Sequence, residues 1–265
     1  MGSLRVSFAQ WPEGLRPGDA NWEEIVRLLG EDKPDILVTN EMPFGAWVSE
    51  ADTYDHQLAQ MTIADHERGL DALKDLQLPA IISSRPVSAH DRLANEAFAL
   101  IHGDYQFLHQ KHFFPNEPGF YEAAWFVTAK PGFNVIDVNG VKVAALLCTE
   151  LMFNEHARHY GRAGAELIVV PRASDPDVHY WEIAASMAAM VSGAFVATAN
   201  RMGRAQGGVV FGGRGMLFSP HAKEIGSLGP VDDQSLITTL DIDIGMAQRA
   251  KGDYPCYVED LVGDG

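Results

Sequence analysis

What the 265-residue chain lacks narrows its possibilities first. It has only two cysteines, Cys148 and Cys256, so a disulfide framework is excluded and reduced thiols of an intracellular protein are expected. No apolar run reaches about 20 residues, so neither a membrane-spanning helix nor a membrane partner is expected. Positive charge is scarce: 20 Lys and Arg stand against 36 Asp and Glu, a formal net charge of −16. Such a surface repels phosphate backbones, and nucleic acid is not an expected partner. The opening MGSLRVSFAQ runs straight into strand-like alternation. It has neither a signal peptide's apolar stretch nor the Ser or Thr that a myristoylation signal wants where Val6 stands, so a cytoplasmic location is expected. Linkers, low-complexity tracts and fixed-period repeats are missing too, which predicts one domain over residues 1–265. The glycines at 207, 208, 212, 213 and 215 match neither a P-loop nor a dinucleotide fingerprint, and there is no G-x-S-x-G.

What is present is an alternation of apolar runs and helical patterns. Strand-like runs are Leu4–Ala9, Ile36–Thr39, Ala80–Ser83, Ala97–His102, Phe133–Val138, Val141–Leu147, Leu167–Val170, Phe195–Ala199, Gly215–Phe218 and Leu236–Leu240. Helical spacing lies between several of them, best over Trp22–Leu29, His56–Leu76, Asn154–Ala163, Tyr180–Val191 and Asp243–Ala250. Asn139-Gly140 and the stretch His102–Gln106 are tight-turn signals. The pattern predicts an α/β fold of two layered sheets with helices outside.

Three polar residues stand at or near the ends of apolar segments: Glu41 closes DILVTNE, Lys111 follows YQFLHQ, and Cys148 closes VAALLC. Cys148 sits between a buried strand and helical spacing that starts at Glu150, at a strand's carboxyl end, where α/β sheets carry their chemistry. Each residue taken alone is as well explained as a solvated acid, a surface lysine or a small core hydrophobe. Together their chemistry is complementary. A carboxylate can take the proton of a thiol, and an ammonium can favour the thiolate and hold an oxyanion. Backbone N–H groups at a helix start would aim at the same place.

LVTNEMPFG, HQKHFFPNEPGFYEAAWF, LLCTELMFNEHAR, WEIAASMAAMVSGAFVATANRMG and FGGRGMLFSP, in this order, resemble the motifs of the nitrilase superfamily of carbon–nitrogen hydrolases along essentially the whole chain. The resemblance implies a four-layer α-β-β-α sandwich, a Glu41–Lys111–Cys148 triad, no cofactor and no metal. It implies a small-molecule amide or carbamoyl substrate, attacked by Cys148 while Lys111 and the Thr149 N–H hold the oxyanion. A supporting glutamate is implied at Glu122, with Glu117 as its competitor, and assembly as a homodimer or higher homo-oligomer through the helices after Cys148 and at Tyr180–Val191. An amidase or N-carbamoyl amide hydrolase is the branch that PNEPGFYEAAWF resembles most. A nitrilase is the enzymatic alternative, and a non-catalytic interaction module with this fold the alternative of another class. The chain departs from the family pattern at Arg214 in FGGRG, around Met187–Ala189, and at His112, which follows Lys111 directly.

Further candidates surround these motifs. Arg172 follows the run ELIVVP and could grip a substrate carboxylate, or simply pair with one of the many acids. Trp47, Tyr121, Trp125 and Phe153 stand beside motif residues as pocket walls or plain packing. His156 and His159 share i, i+3 spacing on a helix, but no further ligands are suitably spaced for a metal.

Overall fold

Almost every apolar run becomes a strand in the computed structural model, which describes residues 2–229 and 235–260. In chain order the strands are β1 (Ser3–Ala9), β2 (Ile36–Val38), β3 (Ala80–Ala89), β4 (Arg92–Ile101), β5 (Asp104–Gln110), β6 (Val135–Val138) and β7 (Val141–Ala145). There follow β8 (Leu167–Arg172), β9 (Phe195–Asn200), β10 (Met202–Arg204), β11 (Val210–Gly212), β12 (Met216–Phe218), β13 (Glu224–Ser227) and β14 (Ile237–Asp243). The helices are α1 (Ala20–Asp32), α2 (His56–Asp75), α3 (Glu122–Trp125), α4 (Asn154–Arg162), α5 (His179–Ser192) and α6 (Ile244–Ala250).

Two six-stranded sheets carry the fold, ordered β14-β1-β2-β3-β4-β5 and β13-β12-β9-β8-β7-β6, with β10–β11 as a separate ribbon. In each the three middle strands are parallel, β1-β2-β3 and β7-β8-β9, flanked by antiparallel neighbours. The sheets pack face to face, β1 against β9 and β2 against β8. Strand parity explains the layering, because successive side chains point to opposite faces. Leu167 and Val169 of β8 enter the core between the sheets. Ile168 and Val170 instead meet α4 and α5. On the far side α1 and α2 cover the first sheet, with Trp22, Ile25, Leu29 and Leu73 buried. The result has the two layered sheets with outer helices that the alternation predicts, as the four-layer α-β-β-α sandwich that the family resemblance implies. Among the described residues no helix is long and apolar enough to cross a membrane.

Local chemistry sets the helix ends. Asp19 and Asp55 cap α1 and α2 by accepting backbone N–H bonds from Trp22 (2.8 Å) and from Gln57 and Leu58 (2.7 and 2.9 Å). Gly193, at φ 61°, ends α5 in the left-handed conformation. Helices α4 and α5 approach closely at Gly161, where an added Cβ would lie 2.5 Å from the Ser192 carbonyl oxygen.

Two differences from the expected elements bear on the site. β3 and β4 run well beyond Ala80–Ser83 and Ala97–His102, through Ser84 and Asn95, because these polar side chains are buried against partners rather than solvated. The helix expected from Glu150 is split: Cys148–Met152 forms a 3-10 turn, and α4 starts at Asn154. Cys148 lies at φ 50°, a left-handed conformation that interrupts regular helix.

Candidate active site

Topology brings three distant residues to one edge. Glu41 and Cys148 each lie three residues beyond a parallel strand, β2 and β7. β5 runs antiparallel to β4, and β4 to β3, so β5 points the way β2 and β3 do and delivers Lys111 to the same end.

Glu41 is held chiefly by its backbone. Its N–H donates to the Arg172 carbonyl at 3.2 Å, and that carbonyl also accepts the Arg201 N–H at 3.1 Å. The buried Arg201 guanidinium reaches back to the carbonyls of Glu41 (3.3 Å) and Met42, and pairs with Glu13. Met42 takes φ 42° and donates its N–H to Ser84 Oγ at 2.9 Å. Positive φ at two non-glycine residues, Met42 and Cys148, is the kind of strain that sites hold in place through surrounding contacts.

The carboxylates then converge on one ammonium. Lys111 Nζ lies 2.8 Å from Glu41 Oε1, and 2.9 and 2.7 Å from the two oxygens of Glu122. All three side chains are buried. Asn95 Nδ2 donates to Glu41 Oε1 at 2.8 Å, while Glu41 Oε2 is buried with no protein partner. Burial pulls the Lys111 ammonium down, but Glu122 and then Glu41 outweigh it and hold the group well above its ordinary value. Glu122 is pushed up to about 8 by burial, with Glu41 adding to the rise and Lys111 opposing it. One cation beside two carboxylates leaves surplus negative charge, and a buried surplus favours taking up a proton. Glu117, the other candidate partner of the lysine, lies exposed at the pocket mouth instead.

Cys148 faces this cluster. Its thiol lies 3.8 Å from the Ala173 carbonyl, and burial, then the nearby Glu41 charge, raise it well above the ordinary thiol value against the pull of Lys111. The resting group is a neutral thiol that needs a base. Glu150, buried in the turn, accepts from His109 Nε2 (2.6 Å), the Leu147 N–H (2.7 Å) and the His112 N–H (2.8 Å). Burial would raise this carboxyl, but His109 and the two backbone donors hold it below its ordinary range. Glu150 thereby rivets the Lys111 segment to the Cys148 turn.

Cys148, Thr149 and Glu122 line a cavity of about 60 Å³ with Glu117, Phe120, Ser174, Asp175 and Trp181. The Thr149 hydroxyl donates to the Phe113 carbonyl at 2.9 Å. Arg172 is fully buried behind this wall. Its guanidinium donates to Ser174 Oγ (2.9 Å) and the Arg214 carbonyl (2.7 Å) and lies 5.0 Å from the Trp181 ring centre, and burial lowers it to about 10. Trp47 and Trp125 are buried in a neighbouring apolar cluster, their indole N–H groups donating to the carbonyls of Gly119 (3.0 Å) and Ala51 (2.7 Å). Tyr121 precedes α3 and donates its N–H to the Ser49 carbonyl at 2.8 Å. Phe153 stacks on Phe113 at 3.9 Å in an adjoining cavity that shares Thr149. His156 stacks on Phe133 at 4.0 Å. Asn95, Ser84, Arg201 and Glu150 were not singled out from the sequence as site residues. Only Glu150 carried a signal, an acid two residues after the cysteine in a motif resembling the family's.

Comparison with known proteins places the chain as a whole. A family model described as carbon-nitrogen hydrolase matches residues 15–251. A glutamine-dependent NAD(+) synthetase of Aquifex aeolicus is 27% identical over 261 residues, covering 94% of this chain. The chain spans less than half of that relative, 44% of its length. Among solved structures, a carbon-nitrogen hydrolase from Helicobacter pylori G27 superposes with a TM-score of 0.82 at 18% identity, over 98% of this chain and 96% of that one. An amidase from Nesterenkonia sp. gives 0.76 at 23% identity, over 94% of each chain.

Proposed function

The chain belongs to the carbon–nitrogen hydrolase family, and on that premise we propose that it is a cysteine-dependent amidase acting on a small linear amide or N-carbamoyl compound. The observation that carries this reading is the buried Lys111 ammonium bonded to both Glu41 and Glu122 beside a strained Cys148. Glu41 takes the thiol proton as Sγ attacks the carbonyl carbon, so no free thiolate accumulates in the resting site. Its unpartnered oxygen, Oε2, is the one free to do so. Lys111 and the Thr149 N–H hold the oxygen that becomes negative. Collapse expels ammonia or an amine, protonated by Glu41, and leaves a thioester. Water, deprotonated by Glu41, then attacks the thioester and releases the acid and the thiol. Glu122 keeps Lys111 charged and in place throughout.

The likeness to the Aquifex aeolicus synthetase over 94% of this chain favours a second reading, in which glutamine is the amide consumed. A nitrile substrate remains the alternative chemistry for the same three residues. We also propose that a second copy of the chain covers α5. Its outer face leaves Tyr180 68% and Ile183 52% exposed beside Met187 and Met190, and burying such side chains contributes about 1.5–3 kcal/mol each.

Intact-mass spectrometry of wild type and Cys148→Ala, run with ammonia release on amides, glutamine, N-carbamoyl compounds and nitriles, tests the reading. Wild type is expected to release ammonia and to carry a transient acyl adduct on Cys148, and the variant to do neither. Turnover surviving in Cys148→Ala would sink the mechanism.

A further inference from the structure

The cavity at Cys148 is charged on one side only. Its lining includes three carboxylates, Glu117, Glu122 and Asp175, and no lysine, arginine or histidine. Glu122 is matched to Lys111, whereas Glu117 and Asp175 are exposed. Neither makes an ion pair among the described residues.

The two arginines near this wall lie outside its lining and each holds protein partners. Arg172 donates to Ser174 and to the Arg214 carbonyl behind the lining, its Nε is buried without a hydrogen-bond partner, and its charge is felt at Cys148 and more weakly at Asp175, with which it does not pair. Arg214 pairs with Glu182 at 2.9 Å and Glu224 at 3.6 Å. The rest of the lining includes two aromatic side chains, Phe120 and Trp181, the second already engaged by the Arg172 guanidinium at 5.0 Å. A substrate carboxylate at this mouth would meet two exposed like charges and find no cationic donor. An ammonium would meet two carboxylates.

Resting on the amidase reading, we propose that the rim formed by Glu117 and Asp175 selects amides whose variable end carries an ammonium group, and excludes those ending in a carboxylate. In this arrangement the amide carbon sits at Cys148 and the charged end projects to the mouth. N-carbamoyl amino acids, which end in a carboxylate, are then poor substrates.

Three amides of matched length test this: pentanamide, 4-aminobutanamide and succinamate, with wild type, Glu117→Gln, Asp175→Asn and the double variant. Both positions are exposed, so the variants keep the fold. The expected result is that kcat/KM is highest for 4-aminobutanamide and lowest for succinamate. The cation-to-neutral ratio should fall about threefold to tenfold with each substitution, and should also fall as salt is raised. A ratio unchanged in the double variant, or a preference for succinamate in wild type, overturns the proposal.

If wild type hydrolyses none of the three, alkylation of Cys148 still tests the rim, and the wider substrate panel tests the amidase reading. Chloroacetamide, chloroacetate and N-(2-aminoethyl)-2-chloroacetamide are compared by peptide mass, with Cys256 of the same protein as internal reference. The cationic reagent's advantage at Cys148 is expected to shrink in the double variant. Equal relative rates in both proteins overturn the assignment.

Discussion

Glu122 and Glu150 begin alike, as glutamates buried within the same site, and end with opposite proton affinities. Glu150 accepts from two backbone N–H groups and an imidazole, and these donors overcome burial and hold it ionised. Glu122 shares a single ammonium with a second carboxylate, and burial prevails, lifting it to about 8. Dedicated donors make a carboxylate a structural fixture. A donor shared between two acids leaves one of them poised to hold a proton. The molecule has set a rivet and a charge regulator a few residues apart in space, and the count of donors separates them.

Three changes would break or sharpen that contrast. The largest effect is expected from Glu150→Ala, which leaves two buried N–H groups and His109 without an acceptor. It should cost about 3–5 kcal/mol of stability, read as a lower denaturant midpoint, and turnover should fall with it because the Lys111 segment and the Cys148 turn lose their common anchor. A midpoint equal to wild type would show that Glu150 is no rivet.

Next comes Glu122→Gln, which should leave the midpoint nearly unchanged while lowering kcat by about a hundredfold. The two glutamates also predict opposite slopes with pH. The Glu122 carboxyl binds its proton more tightly folded than unfolded, so its contribution is full below the ordinary carboxylate value and is lost as pH rises toward about 8. Glu150 binds its proton less tightly when folded, so its contribution is present above the ordinary value and is lost as pH falls through the lowered one. Melting scans from about pH 5 to about pH 8 should therefore show a shallower decline in Glu122→Gln than in wild type. Parallel curves would refute the assignment.

The smallest effect is expected from Ser84→Ala. It removes the acceptor of the Met42 N–H, a loss of about 1 kcal/mol, with a several-fold drop in kcat because the Glu41 turn loosens. Calorimetry and steady-state rates on one preparation read both. A change in stability with kcat untouched would mean that Met42 does not position Glu41.

Much of this was legible in the chain. Leu167–Val170 reads as a buried strand because its residues are apolar on both faces, and each face proves to meet a different core. Glu41, Lys111 and Cys148 were visible as polar residues closing apolar runs; two layered sheets with outer helices followed from alternation and turns, and the four-layer sandwich from the family resemblance. Ser84 and Asn95 were hidden because their polarity ended the apolar runs Ala80–Ser83 and Ala97–His102 early. Their partners, Met42 and Glu41, come from another strand's end. Arg172 was read as an open choice between a substrate carboxylate and a protein acid. Two of its donors are directed to Ser174 and a carbonyl, and its Nε is buried without a hydrogen-bond partner.

By itself the sequence determined the elements and the identities of the groups at their ends, because side-chain periodicity and turn chemistry act over a few residues. Tertiary structure decided which of those groups meet. Glu117 and Glu122 lie in the same loop after Lys111, and only the motif resemblance favours Glu122 as its partner. The choice falls to Glu122 because the segment is tied at both ends, through the Tyr121 N–H to Ser49 and the Ala123 N–H to Pro115. Those bonds turn one carboxylate inward to the ammonium and leave the other in solvent. A buried ammonium requires acceptors and counter-charge, and only the packed fold determines which acids face it.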